Sequence, residues 1–296
     1  KTQSEFVETY KELEIQSNFL STELAHQLTL VKKLRQQLLQ DAVQGKLVEQ
    51  NPNDEPASEL LKKIKAEKAK LIAEKKLKKE KELPPIKPEE IPFEIPENWV
   101  WCRLGEIALN ISTGPFGTML HKSDYVQYGI PLVNPMNIVN EKIVASEKMM
   151  ISEQTKARLK SYILNEGDVV IGRRGEMGRC AVVTENESGW LCGTGSFFLR
   201  LHNEIFRPYF IKVLGADFAK SILLGSSVGS TMNNLNHKIL SSLPIPLPPL
   251  SEQIRIVQKL DELMQYCDEL EASIKQSESQ NEKLLQQVLR EALKVS

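Results

Sequence analysis

The chain of 296 residues is poor in the residues that form disulfide frameworks and metal centres. Its four cysteines include no CxxC pair and its four histidines are scattered, so neither a disulfide framework nor a zinc site is predicted. Apolar residues form no run of membrane length, and no secretory signal peptide is recognisable. A cytoplasmic protein is therefore expected. The first residue is lysine rather than methionine, which suggests a piece of a longer protein.

Motifs of familiar catalytic machinery are also lacking. The sequence has no HExxH pair, no phosphate-binding loop that ends in GK[ST], and no recognisable Ser/His/Asp order. An adenine methyltransferase would need an NPPF-like motif and a cofactor-binding glycine turn, and neither is present. We therefore predict no catalytic residues, no metal site and no cofactor in this chain.

Charge of neither sign dominates the composition. Lys and Arg number 38 against 39 Asp and Glu, which gives a net charge of −1. The two ends of the chain are acidic and the middle is mildly basic. This distribution argues against the coating of a polyanion, but it is compatible with a local basic face that binds nucleic acid.

The sequence does contain one long heptad helix written twice, near its two ends. In each copy, mostly apolar residues recur at intervals of alternately four and three residues and so form a stripe, the seam, along one side of the helix. Adding 250 to a residue number in the first copy gives the corresponding seam residue in the second. Polar residues interrupt both seams, and such residues commonly fix register and partner. Each helix has about 40 residues, so it spans about 60 Å at about 1.5 Å per residue. The seam positions are Phe6, Tyr10, Leu13, Ser17, Leu20, Leu24, Gln27, Val31, Leu34 and Leu38, then Ile256, Leu260, Leu263, Cys267, Leu270, Ile274, Ser277, Asn281, Leu284 and Val288.

Between the two heptad helices the sequence predicts an α+β arrangement. A lysine-rich helix from Ser58 to about Leu83 precedes a proline-rich extended linker. WCRLGEIALNI then predicts a short helix, GIPLVNP, GDVVIG, RCAVVT and SFFLRL predict strands, and FRPYFIKVLGADFAKSILL predicts one helix. The predicted segments are a first heptad helix (1–45), the lysine-rich helix and linker (46–95), a mixed α/β domain (96–249) and a second heptad helix (250–296).

Five stretches together resemble the specificity subunit of a type I restriction-modification system. They are GKLVEQNPNDEPASELLKKIKAEKAKLI, PFEIPENWVWCRLGEI, GDVVIGRRGEMGRCAVV, STMNNLN and IPIPLPPLSEQIRIVQKLDEL. In that family two target recognition domains alternate with two conserved helices. Each domain reads half of a split DNA site, and the helices pair as an antiparallel coiled coil that sets the separation. The resemblance implies a C-terminal portion of such a subunit, or a half-sized form with one target recognition domain.

The resemblance also implies a function and a set of partners. The chain would be a non-catalytic, sequence-specific DNA-binding subunit of a DNA methylation complex that defends against foreign DNA. It would bind double-stranded DNA, modification (methyltransferase) subunits and, through them, restriction subunits. Those partners would carry S-adenosylmethionine, ATP and magnesium. We expect a homodimer through the long helices in isolation. The alternative is a coiled-coil scaffold whose middle domain binds protein.

The loop GRRGEMGR is the first candidate for DNA contact. Arg173 and Arg174 follow a predicted strand, and an arginine can bind guanine O6 and N7 together. Its three glycines would let the backbone approach a partner closely. The alternative is that the glycines only shape a hairpin and that the arginines pair with Glu166 or Glu176.

Two further segments are candidates for DNA contact. In the polar stretch 225–238, asparagines suit adenine and hydroxyls suit phosphate, although these residues would also suit the cap of a helix near Asn236. In STGPFGTMLHKSDY, a histidine and a lysine follow a Gly/Pro-rich loop, and a merely solvated loop fits equally well. The candidate side chains are Ser230, Thr231, Asn233, Asn234, His121 and Lys122. Asn134 and Asn137 are weaker candidates that would also serve a turn.

Four apolar residues lie beside the heptad seam. They widen the apolar stripe beyond what a two-stranded coil needs. We predict that they dock helices of the modification subunits. These residues are Leu39, Val43, Leu285 and Leu289.

Overall fold

The computed structural model describes residues 3–79, 81–146, 148–173, 178–225 and 235–295, with side chains from residue 7 to residue 290. Within these ranges no helix is long and apolar enough to cross a membrane. The helices are α1 (Gln3–Val43), α2 (Ala57–Ala73), α3 (Leu104–Ile107), α4 (Glu153–Arg158), α5 (Arg207–Gly215), α6 (Asp217–Gly225), α7 (His237–Ser241) and α8 (Leu250–Val295). The strands are β1 (Val100–Arg103), β2 (Ala108–Thr113), β3 (Tyr125–Val126), β4 (Ile130–Val133), β5 (Ile138–Val139), β6 (Lys142–Ile143), β7 (Met150–Ile151), β8 (Val169–Gly172), β9 (Cys180–Val182), β10 (Leu191–Cys192), β11 (Ser196–Leu201) and β12 (Pro244–Leu247).

The chain divides into two compact units. One unit holds Gln40–Val257, and the other holds the residues up to Leu39 and those from Gln258 onward. The lysine-rich segment and the proline-rich linker therefore belong to the same unit as the strands. The second unit consists of the larger parts of α1 and α8.

The two predicted heptad helices are confirmed as α1 and α8. Cys267 and Ile274 of α8 form one buried cluster with Leu24 and Val31 of α1. Beside this cluster, the Arg35 guanidinium donates to the Asp268 carboxylate at 2.6 Å and to Glu271 at 3.2 Å. Apolar seam contacts and flanking charge pairs therefore hold the two helices together.

Part of the predicted seam is left uncovered. Four of its leucines are 43–61% exposed, although they lie on the stripe that the heptad pattern assigns to the interface. They form two pairs of repeat counterparts, because adding 250 to each member in α1 gives the member in α8. The contact between α1 and α8 thus leaves corresponding leucines of the two helices exposed to solvent. The leucines are Leu20, Leu34, Leu270 and Leu284.

The middle unit contains two four-stranded sheets. One is antiparallel, with the order β2-β11-β8-β9, and the other has the order β10-β4-β7-β3 with a parallel pair β10–β4. A buried cluster joins the sheets, because Val170 and Phe198 of the first pack with Val133 and Cys192 of the second. β1 and β12 pair separately, as do β5 and β6. The mixed helix and strand content of the α+β prediction is confirmed.

Three local predictions were wrong. WCRLGEIALNI does not form one helix but gives parts of β1, one helical turn (α3) and most of β2, because β1 pairs with β12 and β2 pairs with β11. The lysine-rich helix ends at Ala73 rather than near Leu83, and Lys75 just beyond it adopts a left-handed backbone conformation with φ of 59° that does not continue an α-helix. The helix predicted after Phe206 breaks at Ala216, just past Gly215, into α5 and α6.

The proline-rich linker contains a 3-10 turn at Pro88–Glu90, and one buried arginine fastens it. Arg103 donates to the carbonyls of Pro84 and Pro85 at 3.2 Å each and to the Glu90 carboxylate at 2.8 Å. It also donates to the Ser242 carbonyl at 2.7 Å. One side chain therefore joins the linker to the segment that leads into β12.

Candidate nucleic-acid interface

The antiparallel sheet ends where two chain segments touch. β2 ends at Thr113, and Gly114 then donates its backbone N–H to the Ser196 carbonyl at 2.9 Å. A Cβ on Gly114 would lie 1.9 Å from the carbonyl oxygen of Gly193, so the backbones can meet only because this residue is glycine. The loop after β2 is thereby fixed to the start of β11.

A second loop reaches the same segment through Asn134. Its side-chain carbonyl accepts the backbone N–H of Gly195 at 3.3 Å. In the short 3-10 turn that follows, the buried Asn137 accepts the Asn134 N–H at 3.0 Å and donates to the Val144 carbonyl at 2.8 Å. Both asparagines therefore serve the turn, as their alternative interpretation predicts.

Arg173 lies at this same end of the sheet, one residue beyond β8. Its backbone N–H donates to the Gly195 carbonyl at 2.9 Å, and its own carbonyl accepts the Leu235 N–H at 3.1 Å. The guanidinium carbon lies 5.2 Å from the centre of the Phe197 ring, and Nε donates to the Leu235 carbonyl at 3.4 Å. The side chain is half-buried and held in place. Such a preorganised arginine loses little entropy when it binds a ligand.

The contact between Arg173 and Leu235 joins one described residue from each of two separate candidate segments. Leu235 directly follows the stretch 226–234, which lies outside the described residues together with 174–177. Asn236 then accepts the Ile239 N–H at 2.9 Å and caps α7, as its alternative interpretation predicts. Five predicted contacts lie outside the described residues, namely Arg174, Ser230, Thr231, Asn233 and Asn234.

His121 and Lys122 have exposed side chains on an ordered turn. The backbone N–H of His121 donates to Asp124 Oδ2 at 2.7 Å, and the Arg158 guanidinium binds Oδ1 at 2.8 Å. These hydrogen bonds lower the pKa of the Asp124 carboxyl, first through His121 and then through Arg158. Asp124 thus anchors the turn and leaves both candidate side chains facing solvent.

Three residues at the same end of the sheet were missed by the sequence analysis. Arg179, the last residue of the GRRGEMGR stretch, donates to the carbonyl of Pro135 at 3.3 Å. Phe116 and Met136 are 59% and 61% exposed. Arg179 could have been found from its place in the glycine loop. The apolar pair could not, because sequence does not distinguish an exposed apolar loop residue from a core residue.

Other arginines of the domain have structural partners. Asp168, just before β8, forms an ion pair with Arg200 at 3.3 Å. Burial raises the pKa of the Asp168 carboxyl, and the Asn165 N–H and the Arg200 charge oppose that effect. Arg207 instead donates to backbone carbonyls, among them that of Ile205 at 2.7 Å. These groups lie at the end of β8 opposite Arg173.

The lysines of α2 are largely engaged within the chain. Lys62, Lys63 and Lys65 pair with glutamates, and Lys68 donates to the carbonyls of Gly105 and Ala108 at 2.5 and 2.6 Å. Ala108 begins β2, whereas the converging loops lie where β2 ends. Lys68 therefore holds α2 against the domain at the end of β2 away from the converging loops.

The four predicted docking residues differ in accessibility. Leu285 lines an open groove of about 200 Å³ between α1 and α8, together with Leu20 and Leu284. Leu39 and Leu289 are half-buried. Val43 is fully buried, so its inclusion in a docking surface needs correction, since a side chain inside the fold has no surface to offer a partner.

Comparison with known proteins assigns this architecture to a family. Residues 96–277 match the model of the type I restriction modification DNA specificity domain. The chain is 38% identical over 252 residues to the type I restriction enzyme EcoAI specificity subunit of Escherichia coli, covering 83% of this chain and 42% of that protein. It is 32% identical over 281 residues to the EcoEI specificity subunit of the same species, covering 88% and 45%. The chain thus spans less than half the length of these relatives.

Solved structures share the fold. The crystal structure of the HsdS subunit from Thermoanaerobacter tengcongensis aligns with a TM-score of 0.53 and 20% identity, covering 98% of this chain and 57% of that one. A structure reported under complex assembly and conformational transition of the type I R-M system aligns with a TM-score of 0.54 and 21% identity, covering 94% and 58%. At such identities the likeness concerns the fold alone.

Proposed function

Because this chain belongs to the type I restriction-modification DNA specificity family, we propose that it reads one half of a split DNA target for a methyltransferase complex. Two relatives are named as specificity subunits of type I restriction enzymes, and on this basis we propose that the chain is a specificity subunit without catalytic residues of its own. One observation carries the proposal. Loops after β2, β4 and β8 all bond to the Gly193–Ser196 segment, so the starts of these loops and Arg173 meet at one end of the antiparallel sheet.

The proposed contacts fall into two chemical classes. Arg173 and Arg174 would bind base edges, preferably guanine, and the asparagines Asn233 and Asn234 would bind adenine. Phosphates would be held by the remaining polar candidates, which position the domain without reading sequence. These are His121, Lys122, Ser230 and Thr231.

We further propose that α1 and α8 pair as an antiparallel coiled coil that acts as a spacer between two recognition domains. Two contacts support the direction, since Ser17 lies beside Asn281 and Arg35 lies beside Asp268. Residue numbers rise along one helix as they fall along the other. A helix pair of this length would keep the reading domain at a fixed distance from a second one.

The helices would also dock the modification subunits. The exposed seam leucines occur as repeat counterparts, Leu20 with Leu270 and Leu34 with Leu284. A repeated apolar surface suits two copies of one partner, because each copy can make the same contacts. Leu285 and the half-buried Leu39 and Leu289 would extend these surfaces.

The remaining parts of the proposal concern the assembly. Restriction subunits would join through the modification subunits, and S-adenosylmethionine, ATP and magnesium would bind to those partners in the cytoplasm. A second reading domain could come from another copy of the chain, in a homodimer through the long helices. Light scattering at tens of micromolar tests the homodimer, and a monomer mass would contradict it.

One experiment separates DNA reading from the alternative of a protein-binding scaffold, which the exposed leucines of the helices would equally suit. The full chain with its modification subunits is titrated onto a duplex that carries the sequence the complex methylates, and onto a scrambled duplex. We expect preferential binding that weakens as salt rises. Equal affinity for the two duplexes would favour the scaffold.

A further inference from the structure

The turn Pro135–Asn137 holds an apolar side chain rigidly in solvent. Asn137 closes the turn through hydrogen bonds with the Asn134 N–H and the Val144 carbonyl, and the Arg179 guanidinium donates to the Pro135 carbonyl at 3.3 Å. Met136, between them, nevertheless remains 61% exposed. An unbranched side chain with three rotatable bonds gains no burial here, so its position on a fixed turn does not contribute to the core.

Phe116 approaches the same place from the other loop. It follows Gly114 by two residues, and Gly114 is bonded to Ser196 in the segment that also receives Asn134. The ring is 59% exposed. Single exposed apolar residues are common, but these two belong to loops whose first residues are both hydrogen-bonded to the segment Gly193–Ser196, to which Arg173 also bonds.

Resting on the proposed function, we propose that Met136 and Phe116 form an apolar contact site for the C5-methyl group of a thymine in the major groove. Arg173 can recognise guanine by hydrogen bonds, whereas thymine differs from the other bases in the major groove by its methyl group. Recognition of a methyl group needs an apolar surface held in register with the hydrogen-bonding groups, and the clamped turn supplies that register. The half-site read by this chain therefore includes at least one thymine that is recognised through its methyl group.

The test removes the thymine methyl group from the DNA and, in separate variants, the apolar side chain of Met136 or Phe116 from the protein. Each thymine of the methylated target is replaced in turn by uracil, which keeps every hydrogen-bonding group of the base. The full chain with its modification subunits should lose about threefold to fivefold in affinity at one or two positions, as expected for one buried methyl group. Met136→Ala or Phe116→Ala should weaken binding to the unmodified target. In those variants uracil at the same position should cause no further loss.

Tyr128→Ala is the matched control, because Tyr128 is 83% exposed on the turn between β3 and β4 and lies outside the proposed site. This variant should keep the full sensitivity to uracil. The proposal is overturned if uracil has no effect at any thymine of the target, or if Met136→Ala and Phe116→Ala keep the wild-type sensitivity. It is also overturned if these variants weaken binding without any dependence on thymine and reduce DNA bending, since that result indicates a wedge between base pairs. Failure of the proposed function looks different, because the wild type would then bind no target selectively, and the thymine contact would fall with it.

Discussion

The side-chain amide of Asn281 donates to the backbone carbonyl of Ser17 at 3.0 Å and to the Ser21 hydroxyl at 3.1 Å. Both Ser17 and Asn281 are polar interruptions of the repeated seam. Their repeat counterparts, Cys267 and Val31, are buried in the apolar cluster instead. The Ser17–Asn281 and Val31–Cys267 positions therefore correspond in the heptad repeat, but the first pair is polar and the second is apolar. A polar contact placed in only one half marks a single correct alignment of the helices.

Replacement of Asn281 tests this alignment. Asn281→Ala should lower the free energy of unfolding by about 0.5–1.5 kcal/mol, since two hydrogen bonds are lost from a partly buried site. Ser277→Ala is the control, because the exposed Ser277 hydroxyl donates to the carbonyl of Ser273 in its own helix. Urea titration followed by circular dichroism at the helix band measures both variants. Equal stability of the two would show that the Asn281 contact contributes nothing.

Arg173→Lys tests base reading. Lysine keeps the charge but loses the planar fork, so affinity for the methylated target should fall by about 1–3 kcal/mol while binding to scrambled DNA changes little. Lys122→Ala should instead weaken binding to both duplexes and reduce the salt dependence by about one counterion. Fluorescence anisotropy at several salt concentrations distinguishes the two patterns. Loss of affinity for both duplexes in Arg173→Lys would assign Arg173 to phosphate binding, provided that its melting temperature matches the wild type.

The exposed leucines of the heptad helices predict the stoichiometry of the complex. Leu284→Glu should remove one bound modification subunit and Leu34→Glu the other, because the two positions are repeat counterparts. Native mass spectrometry counts the bound subunits. Phe19→Glu is the control, since Phe19 is exposed but its counterpart Glu269 is charged. Full occupancy in both leucine variants would place the docking surface elsewhere.

The ion pair between Asp54 and Arg255 predicts an acid-dependent loss of stability. Hydrogen bonding to the Arg255 guanidinium, 2.7 Å away, lowers the pKa of the Asp54 carboxyl, with a smaller contribution from Ser251. The folded state thus binds the proton more weakly than the unfolded state. The pair stabilises the fold above the ordinary aspartate pKa of about 3.9, and this contribution disappears as pH falls through the lowered value.

Two variants measure that contribution. Asp54→Asn and Arg255→Gln should each flatten the decline of the unfolding free energy between about pH 5 and pH 2. Denaturant titrations at several pH values provide the slopes. If both variants decline as steeply as the wild type, other carboxyl groups account for the acid sensitivity.

The long helices were predictable because their signal is local and repeated many times. α1 and α8 begin and end within a few residues of the predicted positions, since a heptad pattern depends only on residues three and four apart. The exposure of Leu20, Leu34, Leu270 and Leu284 was not predictable, because it depends on how many helices share the seam. The failed helix in WCRLGEIALNI has a similar cause, as pairing partners distant in sequence decided the strands β1 and β2.

The candidate site was only partly predictable from sequence. Arg173 was found from a glycine-rich loop after a strand, and the structure places it at the end of the sheet where the loops converge. Met136 and Phe116 carried no signal, because their exposure follows from contacts of Asn134 and Gly114 with a segment about 60 and 80 residues away.

The sequence by itself determined the two heptad helices, the strands β4, β8, β9 and β11 and the family resemblance, since each rests on nearest-neighbour patterns or on whole motifs. Only the tertiary structure decided which loops meet. Gly114 can approach Gly193, Asn134 can reach Gly195, and Arg173 can bond to Leu235 only after β2, β4, β8 and β11 are packed side by side. Contacts between residues far apart in the chain form only when the core that brings them together is complete, and no local pattern records them.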